Sequence, residues 1–260
     1  MPRVFSRKTD TVPSGSTRWI AFFGISGFSF LITQYFQFFK GYHPLSTGVH
    51  LLPVAFAVGI MSVLGTQFAV RFGTKQVVTA GLFCLAGFFA WVSTADTATS
   101  YLEIVGQMLL GGSGVGLVSA PATEAIMGVV PKAKAGIGSA VNDATRLLGS
   151  TLGVAVLGSV YASLYSNRLT ERLPANLAPR LAHTAHDSAG GALELANRAS
   201  VSGHPALGHA VHAAASSAFF DGFGAACLLA AGVSALGAIV TLLLLPAHPT
   251  SRLTLALESE

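Results

Sequence analysis

The sequence predicts an all-α membrane protein with six transmembrane helices. Of its 260 residues, 52% are hydrophobic and only 10% are charged, and the mean hydropathy is +0.62. Soluble domains carry about 25% charged residues, which keep their surfaces wetted. The outer surface of this chain must therefore face lipid, and six separate apolar stretches are suited to cross it as helices.

The six predicted helices follow one another between polar or helix-breaking residues. A helix needs about 20 residues to cross a hydrocarbon core of roughly 30 Å. The stretches that meet or approach this length are residues 19–39, 45–70, 77–93, 102–130, 137–164 and 218–245. Pro44, Gly73, Pro131 and Pro246 mark their ends, as expected for residues that do not favour helix continuation.

Basic residues in the short loops predict the orientation, because cytoplasmic loops are enriched in Lys and Arg. With the N-terminus inside, Arg71, Lys75, Lys132 and Lys134 lie on the cytoplasmic side, and the short outer loops keep only Lys40. We therefore expect a multi-pass protein of the cell membrane with both termini cytoplasmic.

This orientation divides the chain into five segments. They are a cytoplasmic N-terminal segment (1–18), five helices (19–164), a long extracytoplasmic loop (165–217), the sixth helix (218–245) and a cytoplasmic tail (246–260). The long loop is rich in Arg and His, and long loops cross the membrane regardless of charge. Residues 177–198 within it could form a short surface helix.

Other classes of function lack a sequence signal. The chain has no basic stripe, no phosphate-binding loop and no nucleophile elbow, so we expect neither nucleic-acid binding nor enzymatic activity. Two histidine pairs have a spacing that metal ligands can have, His183 with His186 and His209 with His212. No cysteine accompanies them, and we expect no metal site.

Short motifs follow one another in a characteristic order. GGSGVGLVSAPAT at 111–123 is followed by GIGSAVND at 136–143, RLLG at 146–149 and GVAVLGS at 153–159. YFQ at 35–37, SAGGA at 188–192 and FFDG at 219–222 complete the series. Together they resemble the second half of the fourteen-helix drug:proton antiporter family of the major facilitator superfamily.

The resemblance implies a half-transporter of two inverted three-helix repeats, which forms one wall of a drug-export pathway. The expected substrates are small, hydrophobic and drug-like, and either amphipathic or aromatic. Export would use the proton gradient and no bound cofactor. The family's first half, which supplies an acid implicated in proton coupling, has no counterpart in this sequence, and Val70 stands where the stronger copy of a loop motif carries an acid.

Six helices form only one of the two bundles, which leaves three alternatives open. The chain is a piece of a longer product, a truncated and inactive product, or a half-transporter that pairs with a second copy or with a separate first half. The alternative function is that of a truncated, non-transporting membrane scaffold or regulatory partner.

Glycine pairs predict where helices approach closely. Gly112 and Gly116 are four residues apart, as are Gly149 and Gly153, so each pair lies on one helical face. Small residues at this spacing let the backbones of membrane helices touch. Pro121 interrupts the hydrogen bonds of the fourth helix, which indicates a bend at a moving joint.

Polar residues inside the predicted helices are the functional candidates, because each is costly in lipid unless it is paired. Asp143 and Arg146 can meet on one face, beside Asn142, as a structural ion pair at the cytoplasmic gate or as a site for substrate or protons. Glu124 is a second candidate partner for Arg146, or it extends to the membrane interface.

Two amides in the first helix lie among aromatic residues. Gln34 and Gln37 are three residues apart and flank Tyr35 and Phe36. This arrangement would suit a cavity for amphipathic, aromatic substrates. Hydrogen bonding between helices is the alternative explanation for both glutamines.

Overall fold

The fold is entirely helical over the part of the chain that is described. The computed structural model describes residues 12–129, 135–174 and 179–244. Six helical stretches in these ranges are long and apolar enough to cross a membrane: Trp19–Phe39, Pro44–Phe72, Thr74–Val92, Tyr101–Glu124, Ala135–Arg172 and Pro205–Leu243. The predicted all-α fold with six spans is confirmed.

The helices are α1 (Val12–Gln34), α2 (Pro44–His50), α3 (Leu52–Phe72), α4 (Thr74–Val92), α5 (Tyr101–Val129), α6 (Ala135–Arg172), α7 (Pro179–Asp187), α8 (Ala189–Val201) and α9 (Pro205–Leu244). A π-helical turn (Tyr35–Phe39) extends α1. The second span consists of α2 and α3, which are separated only at Leu51.

The helices that contain the last two predicted spans are longer than those spans. The fifth-span helix α6 continues past residue 164 to Arg172, and α9 begins at Pro205, ahead of residue 218. Hydropathy detects only the part of a helix that lipid surrounds, while the polar end of α6 and the alanine-rich start of α9 continue as helix beyond it. The segment 165–217 is therefore largely helical.

The short surface helix predicted within that segment is two helices. Ser188 separates α7 from α8, and its hydroxyl accepts a hydrogen bond of 3.0 Å from the backbone N–H of Gly191. A serine in this position caps the start of a helix by satisfying one of its free N–H groups.

Helices that are distant in sequence pack together in the bundle. The most extensive contacts join α3 with α5 and α1 with α6, and α4 packs on both α5 and α9. Buried aromatic side chains fill the centre, where the ring of Phe28 lies 4.9 Å from that of Phe88 and 6.2 Å from that of Phe223.

Two three-helix repeats of inverted topology account for this arrangement. The first contains the spans of α1, α2–α3 and α4, and the second contains α5, α6 and α9. The equivalent helices are α1 and α5, α3 and α6, and α4 and α9. Exchanging each helix for its equivalent turns the α1–α6 contact into the α5–α3 contact, and these are the two most extensive contacts. A repeat with an odd number of spans places its successor upside down in the membrane.

A helical cap stands at one end of the bundle. At 1.5 Å per residue, α6 is about 57 Å long and α9 about 60 Å, roughly twice the thickness of the hydrocarbon core. The end of α6 and the start of α9 therefore extend beyond it, together with α7 and α8. We call residues 165–174 and 179–217 the helical cap. The Tyr165 hydroxyl donates a hydrogen bond of 3.0 Å to the Ala185 carbonyl within it.

Candidate functional site

The first glycine pair lies in the contact between α5 and α3. A Cβ on Gly112 would lie 2.6 Å from the carbonyl oxygen of Val54, and one on Gly116 would lie 2.7 Å from the Cβ of Met61. Neither position has room for a side chain. The two helices approach at a distance that only glycine allows here.

The second pair lies in the contact between α6 and α1. A Cβ on Gly149 would lie 2.5 Å from the carbonyl oxygen of Trp19, and one on Gly153 would collide with the carbonyl of Phe23. A polar link crosses the same contact, because the Ser26 hydroxyl donates a hydrogen bond of 2.9 Å to that of Ser150. Each of the two most extensive helix contacts is therefore built on one glycine pair.

A third close approach was missed by the sequence reasoning. Gly81 of α4 faces Gly114 of α5, and a Cβ on either residue would lie within 3 Å of the other's carbonyl oxygen, at 2.9 and 2.8 Å. Gly81 has no glycine four residues away, so a search for pairs on one helix could not find this contact.

Pro121 lies inside α5, which continues through it to Val129. Because proline has no N–H, the carbonyl of Leu117 four residues earlier loses its helical hydrogen bond. Nearby, the Thr123 hydroxyl donates to the carbonyl of Ser119 at 2.7 Å. The predicted bend at a moving joint therefore stays a prediction.

The predicted polar cluster on α6 is divided between two sides of the helix. Asn142 is buried within the bundle. Asp143 and Arg146 form an ion pair of 3.9 Å on the outside, and their side chains are 55% and 47% exposed. The guanidinium of Arg146 also lies 5.7 Å from the ring centroid of Phe22 on α1. Glu124 is exposed, and among the described residues no ion pair joins it to Arg146.

The two glutamines of the first span lie at its irregular end. Gln34 is the last residue of α1 and Gln37 lies in the π-helical turn, and both are partly buried. Tyr35 and Phe36 between them are buried in the core, whereas Phe38 is 42% exposed. The amides of Gln34 and Gln37 therefore reach the surface of the bundle, whereas the rings of Tyr35 and Phe36 lie in its core. Single-turn π segments occur frequently at functional sites.

Gln107 on α5 is a polar residue that sequence reasoning missed. Its side chain is 3% exposed, and its amide nitrogen has no hydrogen-bond partner among the described residues. An amide without a partner is costly in the membrane. The available signal was one glutamine inside an otherwise apolar stretch of α5.

The outer surfaces of α3 and α6 are the least covered parts of the bundle. In the most apolar stretch of each span, 11% of residues are buried in Pro44–Phe72 and 22% in Ala135–Arg172, against 50–56% in the spans of α1, α4 and α5. A Cβ on Gly59 of α3 or on Gly158 of α6 would meet no atom within 4 Å. We call the exposed sides of α3 and α6 the open faces.

The loop between α4 and α5 is held by hydrogen bonds. The Thr99 hydroxyl, at 3.0 Å, and the Ala98 N–H, at 2.8 Å, donate to the Asp96 carboxylate, and the Lys40 ammonium donates to the Thr99 carbonyl at 3.0 Å. The hydrogen bond from the Thr99 side chain is the main cause that lowers the pKa of Asp96 below its ordinary value. The loop is thereby fixed to the end of the first span.

At the base of the helical cap, a charge cluster joins α6 to α9. The Arg172 guanidinium lies 2.8 Å from the Asp221 carboxylate and also donates to the Ser217 hydroxyl at 2.6 Å. Arg168 lies 3.8 Å from the same carboxylate. Arg168 lies closer to Glu171, at 3.1 Å, so two cations and two anions alternate in this cluster.

Comparison with known proteins decides the family. The family model of the Major Facilitator Superfamily matches residues 13–154, more than half of the chain. The chain belongs to this superfamily. This superfamily member is a multi-pass membrane protein, and its predicted resemblance to drug exporters is confirmed by its relatives.

Three relatives of this superfamily member are resistance or efflux proteins of bacteria. It is 38% identical over 157 residues to the multidrug resistance protein Stp of Mycobacterium tuberculosis, and 29% identical over 178 residues to the multidrug efflux pump LfrA of Mycolicibacterium smegmatis. It is 29% identical over 236 residues to the tetracenomycin C resistance and export protein of Streptomyces glaucescens. The matches include 60%, 68% and 88% of this chain, but they cover only 29%, 35% and 43% of the relatives.

Proposed function

We propose that this superfamily member forms one wall of a pathway that exports small amphipathic or aromatic compounds, driven by the proton gradient and without a bound cofactor. The observation that carries the proposal is the pair of open faces on a chain that matches less than half of each of three resistance and efflux proteins. The geometry supports a half of a larger transporter, whose second wall covers these faces.

The partner in this proposal is a second six-helix bundle, either a first half or a second copy of this chain. Gly59 and Gly158 support this, because among the described residues nothing fills the space beside them, and they lie on the least covered spans, where small residues suit close approach by a neighbouring helix. Lipid could also cover the apolar residues of these faces, but contact with lipid does not require glycine at these two positions.

The ion pair on α6 gives a second reason for a partner. Asp143 lies eight residues from the start of α6, about 12 Å along its axis. Both charged side chains are about half exposed in the isolated bundle. Charges that face lipid at this depth are costly, so we place the pair against the second bundle, where it closes the cytoplasmic end of the pathway.

The wall of the pathway in this proposal contains two amides. Gln34 and Gln37 lie at the irregular end of the first span, and both are partly buried. Amides donate and accept hydrogen bonds without a fixed charge, which suits substrates of varied chemistry.

The positive-inside asymmetry of the loops supports a cytoplasmic location for both termini.

A dye-efflux assay in membrane vesicles tests this function. Vesicles that contain the chain with a first-half bundle should lose ethidium when a proton gradient is applied and should retain it when the gradient is collapsed. Gly59→Leu and Gly158→Leu should each reduce efflux at least tenfold, whereas Gly232→Leu, at a third glycine with open space, should not.

The alternative of a non-transporting scaffold predicts a different result. In that case the Gly59→Leu and Gly158→Leu variants would leave efflux by the full assembly unchanged. Efflux that persists without any proton gradient would contradict the proposed energy source.

A further inference from the structure

A cavity lies inside the helical cap, away from the transmembrane bundle. Its volume is about 360 Å³, within the range of roughly 300–1,000 Å³ that is usual for small-molecule sites. Residues of α7, α8 and α9 line it. Val211, the lining residue furthest along α9, is only six residues from the start of that helix, about 9 Å along its axis. The cavity is therefore outside the hydrocarbon core.

The walls of the cavity are apolar. They consist of Leu181 from α7, Leu195 from α8, and Leu207 and Val211 from α9. Leu181 lies on α7, a helix of nine residues, and is 38% exposed. Apolar side chains around a water-filled space favour a ligand that replaces the water with apolar surface. The body of a ligand for this cavity is therefore apolar.

One edge of the cavity carries a cation. The Arg198 side chain is 75% exposed, and its Nε donates a hydrogen bond of 2.8 Å to Glu194. A guanidinium has five N–H donors, and this contact uses one of them. The terminal amino groups of Arg198 are suited to bind a carboxylate in a two-pronged arrangement.

A second polar group stands beside it in a fixed turn. Gly203 adopts φ +85°, which favours glycine, and the His204 N–H donates to the Ala199 carbonyl at 3.0 Å. The His204 Nδ1 lies 3.2 Å from the Ser202 carbonyl, which can only accept, so Nδ1 carries the proton. Nε2 is then the ring nitrogen that is left to face a ligand.

We propose that this cavity is a binding site for a small amphipathic carboxylic acid. The apolar body packs against the leucines, and the carboxylate binds Arg198. An organic cation is disfavoured by the charge of Arg198. This site lies off the proposed export pathway and requires no transport, so it goes beyond the proposed function.

Ligand binding to the full chain in detergent tests this site. The probe is 2-naphthoate, and its matched controls are 2-naphthalenemethanol, which is neutral, and 2-naphthylmethylamine, which is cationic. Calorimetry should show saturable binding of 2-naphthoate at least tenfold tighter than that of either control. Absence of saturable binding, or equal affinity for the amine, would overturn the proposal.

Two substitutions at the exposed edge should act in opposite directions. Arg198→Gln should weaken 2-naphthoate binding at least tenfold and leave the neutral control unchanged. Glu194→Gln should strengthen it severalfold, because the competing carboxylate is lost. Arg71→Gln, at the other end of the bundle, is the matched control and should change neither affinity. If neither Arg198→Gln nor Glu194→Gln shifts the affinity, the proposal fails.

A third substitution fills the cavity. Ala199→Trp should abolish binding of all three compounds while the helical circular dichroism stays that of the unaltered chain. Retained binding in a folded Ala199→Trp variant would show that the probe binds elsewhere. If this variant does not fold, the opposite shifts expected at Arg198 and Glu194 decide the question.

Discussion

The glycine-lined contacts inside the bundle and the open faces of α3 and α6 use the same residue in opposite ways. Gly112 and Gly153 are occluded by the backbone of a neighbouring helix, whereas Gly59 and Gly158 face open space. Both sets lie on apolar helices. The first set marks a close neighbour that is already in the chain, and we propose that on the open faces the second set marks one that a partner supplies.

The largest expected effect on stability distinguishes the two sets directly. Gly112→Leu should destabilise the isolated chain by about 3 kcal/mol, because the new side chain collides with the backbone of α3. Gly59→Leu is the matched control and should change the stability by less than about 0.5 kcal/mol. Thermal unfolding in detergent, followed by circular dichroism, measures both. Equal destabilisation by the two changes would show that the occluded glycine and the open glycine do not differ in their packing.

A buried polar group of the interior gives the next effect. Gln107→Leu should stabilise the isolated chain by about 1 kcal/mol, because it removes a buried amide nitrogen without a described partner. Gln37→Leu, at a partly buried position, should have a smaller effect. The same unfolding experiment measures both, and a loss of stability in Gln107→Leu would show that the amide is paired in the membrane.

The ion pair on α6 should matter little to the isolated chain. Asp143→Asn should change its stability by no more than about 0.5 kcal/mol, since both side chains are about half exposed at the surface of the bundle. In the full assembly the same change should reduce dye efflux about tenfold, because the pair is then desolvated against the second bundle. Asp187→Asn on the helical cap is the control. A large stability loss in the isolated chain would place the pair inside this bundle.

The smallest effect concerns the loop between α4 and α5. The pKa of Asp96 is lowered in the folded chain, so its contribution to stability is present above the ordinary pKa of aspartate and is lost as the pH falls through the folded value. Asp96→Asn should therefore reduce the difference in unfolding temperature between about pH 7 and about pH 3. An unchanged difference would mean that the hydrogen bonds from Thr99 and Ala98 do not favour the charged form.

Much of the membrane fold could be predicted because hydropathy and helix breakers report on lipid exposure directly. Residues 19–39 and 102–130 were found within one or a few residues of the observed spans. The extension of α6 to Arg172 and the early start of α9 could not be predicted in this way. These segments are amphipathic helices that depend on contacts within the helical cap rather than on lipid.

The candidate site was only partly predictable, because sequence gives the face of a helix but not which neighbour it meets. Asn142, Asp143 and Arg146 are close in sequence, yet the first faces the core and the other two face outward. The contact of Gly81 with Gly114 needed the packing of α4 on α5. Gln34, Gln37 and Glu124 remain predictions for the pathway and its gate.

Shielding of the open faces from lipid tests the central claim most directly. A fluorophore on Leu148→Cys of α6, where the native side chain is 63% exposed, in a chain whose Cys84 and Cys227 are replaced by Ala, would be exposed to brominated lipids in vesicles. We predict quenching for the chain alone and protection in the assembly that exports dye. A label at Leu236 of α9, which is 65% exposed, should be quenched in both. Equal quenching of the label at residue 148 in the chain alone and in an assembly that exports dye would contradict the proposed second wall.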